Sequence, residues 1–101
     1  MIQHIVCFRF KPGTESGEIT RHMTSFRRLQ AGIPQIQSYA GGLALIEPGD
    51  DAPEFQAVHY LTFDNLDEMD IYAKQPVHLA FIEENRAIWD KVFVINSPTD
   101  G

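Results

Sequence analysis

Between residues 2 and 11 the side chains alternate with a period of two. Ile2, His4, Val6, Phe8 and Phe10 share one face; Gln3, Ile5, Cys7, Arg9 and Lys11 share the other. That period, carried by β-branched and aromatic residues, predicts a first strand. Pro12-Gly13 stops it. The spacing then changes. Ile19, Met23, Phe26, Leu29 and Ile33 recur every three or four residues and predict one helix with a single apolar face. Thr14 or Ser16 is placed to cap it. Glu15 and Glu18 near its start and Arg27 and Arg28 near its end suit the helix dipole, and Gly32 and Pro34 end it. Residues 35–46 read as a second strand, interrupted by Gly41-Gly42, a pair that marks a bulge or a close backbone approach. An acidic turn, EPGDDAPE, covers 47–54. A third strand follows over 55–63, with Phe55, Ala57, His59, Leu61 and Phe63 on one face and Gln56, Val58, Tyr60 and Thr62 on the other. Asp64 or Asn65 caps a short helix holding Leu66, Met69, Tyr72 and Ala73. Pro76 opens another helix, with His78, Phe81, Ile82, Asn85 and Trp89 on one side. KVFVIN, 91–96, closes the chain as a fourth strand.

The order is β-α-β-β-α-β with the second helical region broken near Pro76, which is the ferredoxin-like pattern of an α+β domain. One domain spans 1–96, and 97–101 form a polar tail. A sheet covered by helices on one face only leaves the other in need of a partner. Ile5, Cys7, Val58 and Tyr60 would make that face apolar enough to favour a two-fold contact with a second copy.

Composition narrows the classes. The chain has 101 residues, 44% hydrophobic and 22% charged, an ordinary balance for a globular protein. Its net charge of −6 argues against nucleic acid as a partner, because phosphates are met by basic stripes. The basic group Arg21, Arg27 and Arg28 reads as the solvated side of a helix. No apolar run approaches the length of a membrane span, and the opening MIQHIVCFRF lacks the design of a signal peptide. A cytoplasmic location is the expectation. Cys7 is the single cysteine, so no internal disulfide forms.

The chain resembles the stress-responsive A/B barrel (Dabb) family of dimeric α/β barrels. The resemblance rests on HIVCFRFKPG at the start, IPQI before the second strand, LTFDNLDEMDIYAKQPVHLAFIEE and the closing WDKVFVIN, and so covers nearly the whole chain. It implies a ferredoxin-like protomer, a homodimer with helices outside, and a cavity between helices and sheet. In a plant polyketide cyclase of this family, which makes olivetolic acid with no metal or cofactor, a tyrosine and a histidine on the helical segment do the work. The resemblance places that pair on Tyr72 and His78, and a cavity histidine of the first strand on His4. A further cavity histidine of the third strand falls on Ala57, with His59 two residues along on the same face. A cavity tyrosine of the first helix falls on Phe26. His4, Phe26, Ala57 and His59 are thus expected around a substrate.

The faces support a cavity independently of the family, since His4 and His59 point with the apolar residues of their strands. A neutral imidazole beside a phenol is a workable acid–base unit near neutral pH, and a phenol stabilises a developing enolate oxygen. Tyr72 and His78 are six residues apart, too far to meet on one helical turn; the break before Pro76 would bring them together. Each of these residues also has a structural reading as a buried polar group satisfied by a neighbour. No HxH or HExxH spacing suggests a metal site, and Cys7 lies on the opposite strand face from His4. Three functions stay open: a homodimeric small-molecule-binding protein, a cofactor-free cyclase or lyase with a His–Tyr pair, and a structural dimer with a filled core.

Overall fold

The computed structural model describes residues 1–99. Its elements are β1 (Ile2–Phe10), α1 (Ser16–Arg27), α2 (Leu29–Gly32), β2 (Ser38–Leu43), β3 (Ala57–Phe63), α3 (Leu66–Lys74), α4 (Pro76–Asn85), a 3-10 turn over Arg86–Ile88 and β4 (Trp89–Pro98). The strands form one sheet in the order β2-β3-β1-β4. Every neighbouring pair is antiparallel. This is the ferredoxin-like arrangement read from the pattern.

Several boundaries differ from the sequence reading. The single expected helix over 19–33 is two pieces, broken at Arg28. Neither Thr14 nor Ser16 caps it: Thr14 donates its hydroxyl hydrogen to Lys11 O at 2.6 Å, Ser16 is the first helical residue, and Glu15 stands at the cap without a side-chain bond. The second and third strands are shorter than expected, because the segment between Leu43 and Ala57 is loop. Trp89 leaves the helix altogether. The 3-10 turn redirects the chain, and Trp89 begins β4 opposite Phe10. β4 also runs past residue 96, with Ser97 and Pro98 paired to Gln3 and Ile2. Of the expected polar tail, residues 100 and 101 lie outside the described residues.

The α3–α4 junction is fixed locally. Asn65 accepts the Glu68 backbone N–H at 2.9 Å and caps α3. Gln75, just before Pro76, is extended at φ −63° and ψ 136°, as the proline ring requires of the residue preceding it. Pro76 then opens α4, where its missing N–H leaves nothing unpaired.

All helices pack on one face of the sheet. The core there is Val6, Phe8 and Phe10 of β1, Leu61 and Phe63 of β3, and Phe26, Leu29, Ile33, Tyr72 and Phe81 from the helical side, each at most 6% exposed. Full burial of one such side chain stabilises by about 1.5–3 kcal/mol. The opposite face is bare. Register puts Ile5, Cys7, Val58, Tyr60, Phe93 and Ile95 on it, and Val58, Phe93 and Ile95 are 40–46% exposed. Among the described residues no helix is long and apolar enough to cross a membrane.

Candidate functional site

Between β1, β4 and the α3–α4 junction lies a cavity of about 200 Å³. His4, Tyr72 and His78 line it together with Phe26, Phe8, Phe81, Ile82, Trp89, Val92 and Val94. The structure thus brings the first-strand histidine and the helical tyrosine–histidine pair to one place. The Tyr72 and His78 rings are 4.5 Å apart between centroids, and those of His4 and Tyr72 are 5.7 Å apart, edge to face. A second, outer hollow of about 440 Å³ is lined by His4, Tyr72 and Ala73 again, with Leu66, Asp67, Asp70 and Asn96. His4 and Tyr72 therefore line both hollows.

The helix break sets the histidine. Ala73 O, near the end of α3, would serve the next turn had the helix continued; Pro76 interrupts the ladder and leaves it free. His78 Nδ1 donates its hydrogen to that oxygen at 3.0 Å. A carbonyl only accepts, so neutral His78 keeps its lone pair on Nε2. His4 is oriented likewise from β4: its Nδ1 donates to Asn96 Oδ1, the residue directly opposite in register, which leaves Nε2 unprotonated. Burial lowers the His4 pKa, the Asn96 bond opposes this, and the nearby His78 lowers it further; the net effect keeps His4 neutral. Burial pushes the Tyr72 phenol well above its ordinary value. Tyr72 is a hydrogen-bond donor here, never a phenolate. Chemically, the arrangement offers two imidazole lone pairs and one O–H in apolar surroundings.

Two expected residues are not on the cavity wall. His59 is 0% exposed and Ala57 2% exposed, and neither lines the chamber. His59 is sealed beneath Phe26, whose ring stacks on it at 3.7 Å between centroids and 4° between planes. The residue in the position of the family's tyrosine thus closes the route from the chamber to the third-strand histidine.

His59 instead meets residues that the sequence reading did not single out. His22 of α1, also 0% exposed, bonds His59 at 3.1 Å between their Nε2 atoms. Trp89 Nε1 donates to His22 Nδ1 at 3.0 Å, and Tyr39 Oη meets His59 Nδ1 at 2.8 Å. The signal for His22 was available: it falls on the stripe of Ile19, Met23, Phe26 and Leu29. Gly41 makes room for the Tyr39 contact. A Cβ there would stand 2.2 Å from Tyr39 Oη and 3.0 Å from His59 Nδ1, so the close approach marked by the glycine pair is that of a side chain.

Other candidates are accounted for by their neighbours. A hollow of about 480 Å³ at the β1–α1 turn is lined by Arg9, Asp90 and Gln56, but Arg9 pairs with Asp90 at 2.9 Å and Gln56 accepts the Phe10 N–H. Burial raises the Cys7 thiol, which disfavours a thiolate. Among the described residues no three His, Cys, Asp or Glu side chains converge as metal ligands.

The fold and this site define an α+β domain with a helix-side cavity and an uncovered sheet face. Residues 2–98 match the family model of the stress responsive A/B barrel domain, and the chain belongs to that family. An Arabidopsis thaliana protein superposes with a TM-score of 0.86 at 19% identity, over 100% of this chain and 97% of its own. A dimeric ferredoxin-like protein of unknown function from Thermobifida fusca gives 0.83 at 22%, over 97% and 90%. A hydroxynitrile lyase from Passiflora edulis gives 0.84 at 23%, over 99% and 94%. Among curated proteins none matches the sequence significantly.

Proposed function

We propose that this chain is a homodimeric small-molecule-binding protein whose ligand is a compact, largely apolar carbonyl compound held between His4, Tyr72 and His78. One observation carries the reading: His4, Tyr72 and His78 line a single apolar cavity, and each histidine has its Nδ1 held by an acceptor outside the pair. About 150 Å³ suffices for benzene in a dry protein cavity, so about 200 Å³ suits one ring with a short substituent. Tyr72 donates to the carbonyl oxygen, and an Nε2 accepts from a hydroxyl or an acidic C–H. The bare sheet face pairs two copies about a two-fold axis, as the dimeric neighbours support. Acetophenone is a fitting probe. An NMR titration should give a dissociation constant on the order of 1 mM. Tyr72→Phe should weaken it about fivefold, the worth of one neutral hydrogen bond. Binding that is absent, or equal in wild type, Tyr72→Phe and His78→Ala, would remove the reading.

A second reading is a cofactor-free enzyme, favoured by the orientation of His78. Its Nε2 takes a proton from the carbon beside the carbonyl, the C–H electron pair becomes the carbon–carbon double bond as the carbonyl π pair moves onto oxygen, and Tyr72 donates to the enolate oxygen so formed. The imidazolium then returns a proton. The hydroxynitrile lyase among the neighbours supports base chemistry on this fold. In D2O the enzyme should exchange the acetophenone methyl hydrogens for deuterium, and His78→Ala should slow this at least about a hundredfold. Exchange no faster than in buffer would leave binding alone.

A further inference from the structure

We infer that His22, His59 and Tyr39 are positioning residues: with Trp89 they form a proton-ordered strut that fixes the inner wall of the cavity from the far side of the core. The ordering follows from one fact. An indole N–H only donates. Trp89 donates to His22 Nδ1 at 3.0 Å, so that nitrogen is bare and the hydrogen of neutral His22 sits on Nε2. His22 Nε2–H therefore donates to His59 Nε2 at 3.1 Å, which must be bare in turn. The hydrogen of His59 sits on Nδ1 and donates to Tyr39 Oη at 2.8 Å. Every ring nitrogen of both histidines is committed, and each role depends on the one before it.

The neutral state is set by the surroundings. His22 packs against Phe8, Phe10, Phe26 and Phe81; His59 packs against Phe8 and Phe26. The charged or titratable groups that reach the strut are Tyr39 of β2 and, beside Tyr39, Arg27 of α1. A proton added to either imidazole would face a donor with a donor and break the strut at Trp89 or between the rings.

The end of the strut is a wall of the chamber, since Trp89 lines it. With its N–H held by His22, the indole shows the ligand only carbon. Its tilt, and with it the width available to a planar ligand, is set three hydrogen bonds away at Tyr39. Gly41 is the seat that lets Tyr39 lie there.

Trp89 is the sole tryptophan, so one indole cross-peak in a proton–nitrogen NMR spectrum reports the strut directly. Tyr39→Phe removes a single oxygen that does not touch Trp89. It should move the indole proton by at least about 0.2 ppm, because His59 Nδ1–H loses its acceptor and the ring is no longer held, so that His22 and with it the bond from Trp89 shift, while amide dispersion is kept. His22→Asn retains an acceptor for Trp89 but cuts the link to His59; in that background Tyr39→Phe should leave the indole signal in place. Acetophenone, if the wild type binds it, should bind Tyr39→Phe about threefold more weakly. An indole signal unchanged by Tyr39→Phe at neutral pH, or moved equally in both backgrounds, would overturn the inference. No acetophenone binding by the wild type would instead count against the cavity reading, and the indole signal would still decide this one. Should His22→Asn not fold, the Tyr39→Phe shift alone decides: a shifted signal supports the strut and an unshifted one ends it.

Discussion

His22 and His59 sit in the same protein as His4 and His78, and the two pairs are opposites. In the first pair both rings are fully buried and all four nitrogens are consumed by partners within the core. In the second each ring spends Nδ1 on a fixed acceptor and lines a cavity. Burial alone therefore does not separate the two pairs. What separates them is an unclaimed nitrogen on a ring that something else holds still, the feature on which the proposed function rests. The first pair should behave as structure and the second as chemistry.

The largest test is to remove one ring from the structural pair. His59→Ala deletes the stack on Phe26 and two hydrogen bonds and opens a hole beneath the core. Such truncations cost about 3–5 kcal/mol, a large share of the stability of a domain this size. Chemical denaturation should show it. A loss below about 1 kcal/mol would mean that the strut contributes little and that the contrast between the pairs is false.

Acid separates the pairs next. Burial lowers His22 to about 4, and burial together with the neighbouring His22 lowers His59 to about 3, from an ordinary 6.5. The unfolded chain takes up these protons below about 6.5, whereas the folded chain refuses them until about 4 and about 3. Across that window the unfolded state binds more protons, so stability falls as pH falls. Each histidine contributes up to about 1.4 kcal/mol per pH unit, or on the order of 3 kcal/mol for both between pH 7 and pH 5. The urea midpoint should drop accordingly. His22→Asn should flatten the slope; a slope equal to that of the wild type would dissolve the distinction.

A smaller effect is expected at Gly41. Gly41→Ala forces Tyr39 away from His59, because no Cβ fits at 2.2 Å from the hydroxyl. The cost should be about 1–3 kcal/mol, read as a lower denaturation midpoint and a displaced indole signal. Gly42 has nothing within 4 Å of where its Cβ would be, so Gly42→Ala serves as the control. Equal effects at the two glycines would count against the seat.

The sequence showed the frame far better than it showed this contrast. Period two and period 3.6 were enough for four strands and their order. Pro76 alone located the break that frees Ala73 O for His78. What stayed hidden depends on side chains that meet across elements distant in the chain. His22 lies on an apolar helical stripe, but nothing in the stripe says that its ring reaches His59, 37 residues on. Trp89 kept the helical spacing of Phe81 and Asn85, and only the 3-10 turn moves it into β4. Asn96 became a partner of His4 through strand register, which a single strand pattern cannot fix. Phe26 lines the chamber; that it also walls off His59 follows from how closely the two rings stack.

The smallest stability effect should come from the cavity pair. His78 makes one bond to an exposed turn, so His78→Ala should cost only about 0.5–1 kcal/mol. That small number is informative because of what accompanies it. If His78 serves ligand chemistry, the variant keeps its fold and its indole signal, yet loses the response to acetophenone. If His78 is only a cap for the end of α3, the same small loss of stability appears and acetophenone binds as before. Ligand response thus separates the two roles where stability does not, and a denaturation curve beside a titration shows that a lost response is not a lost fold.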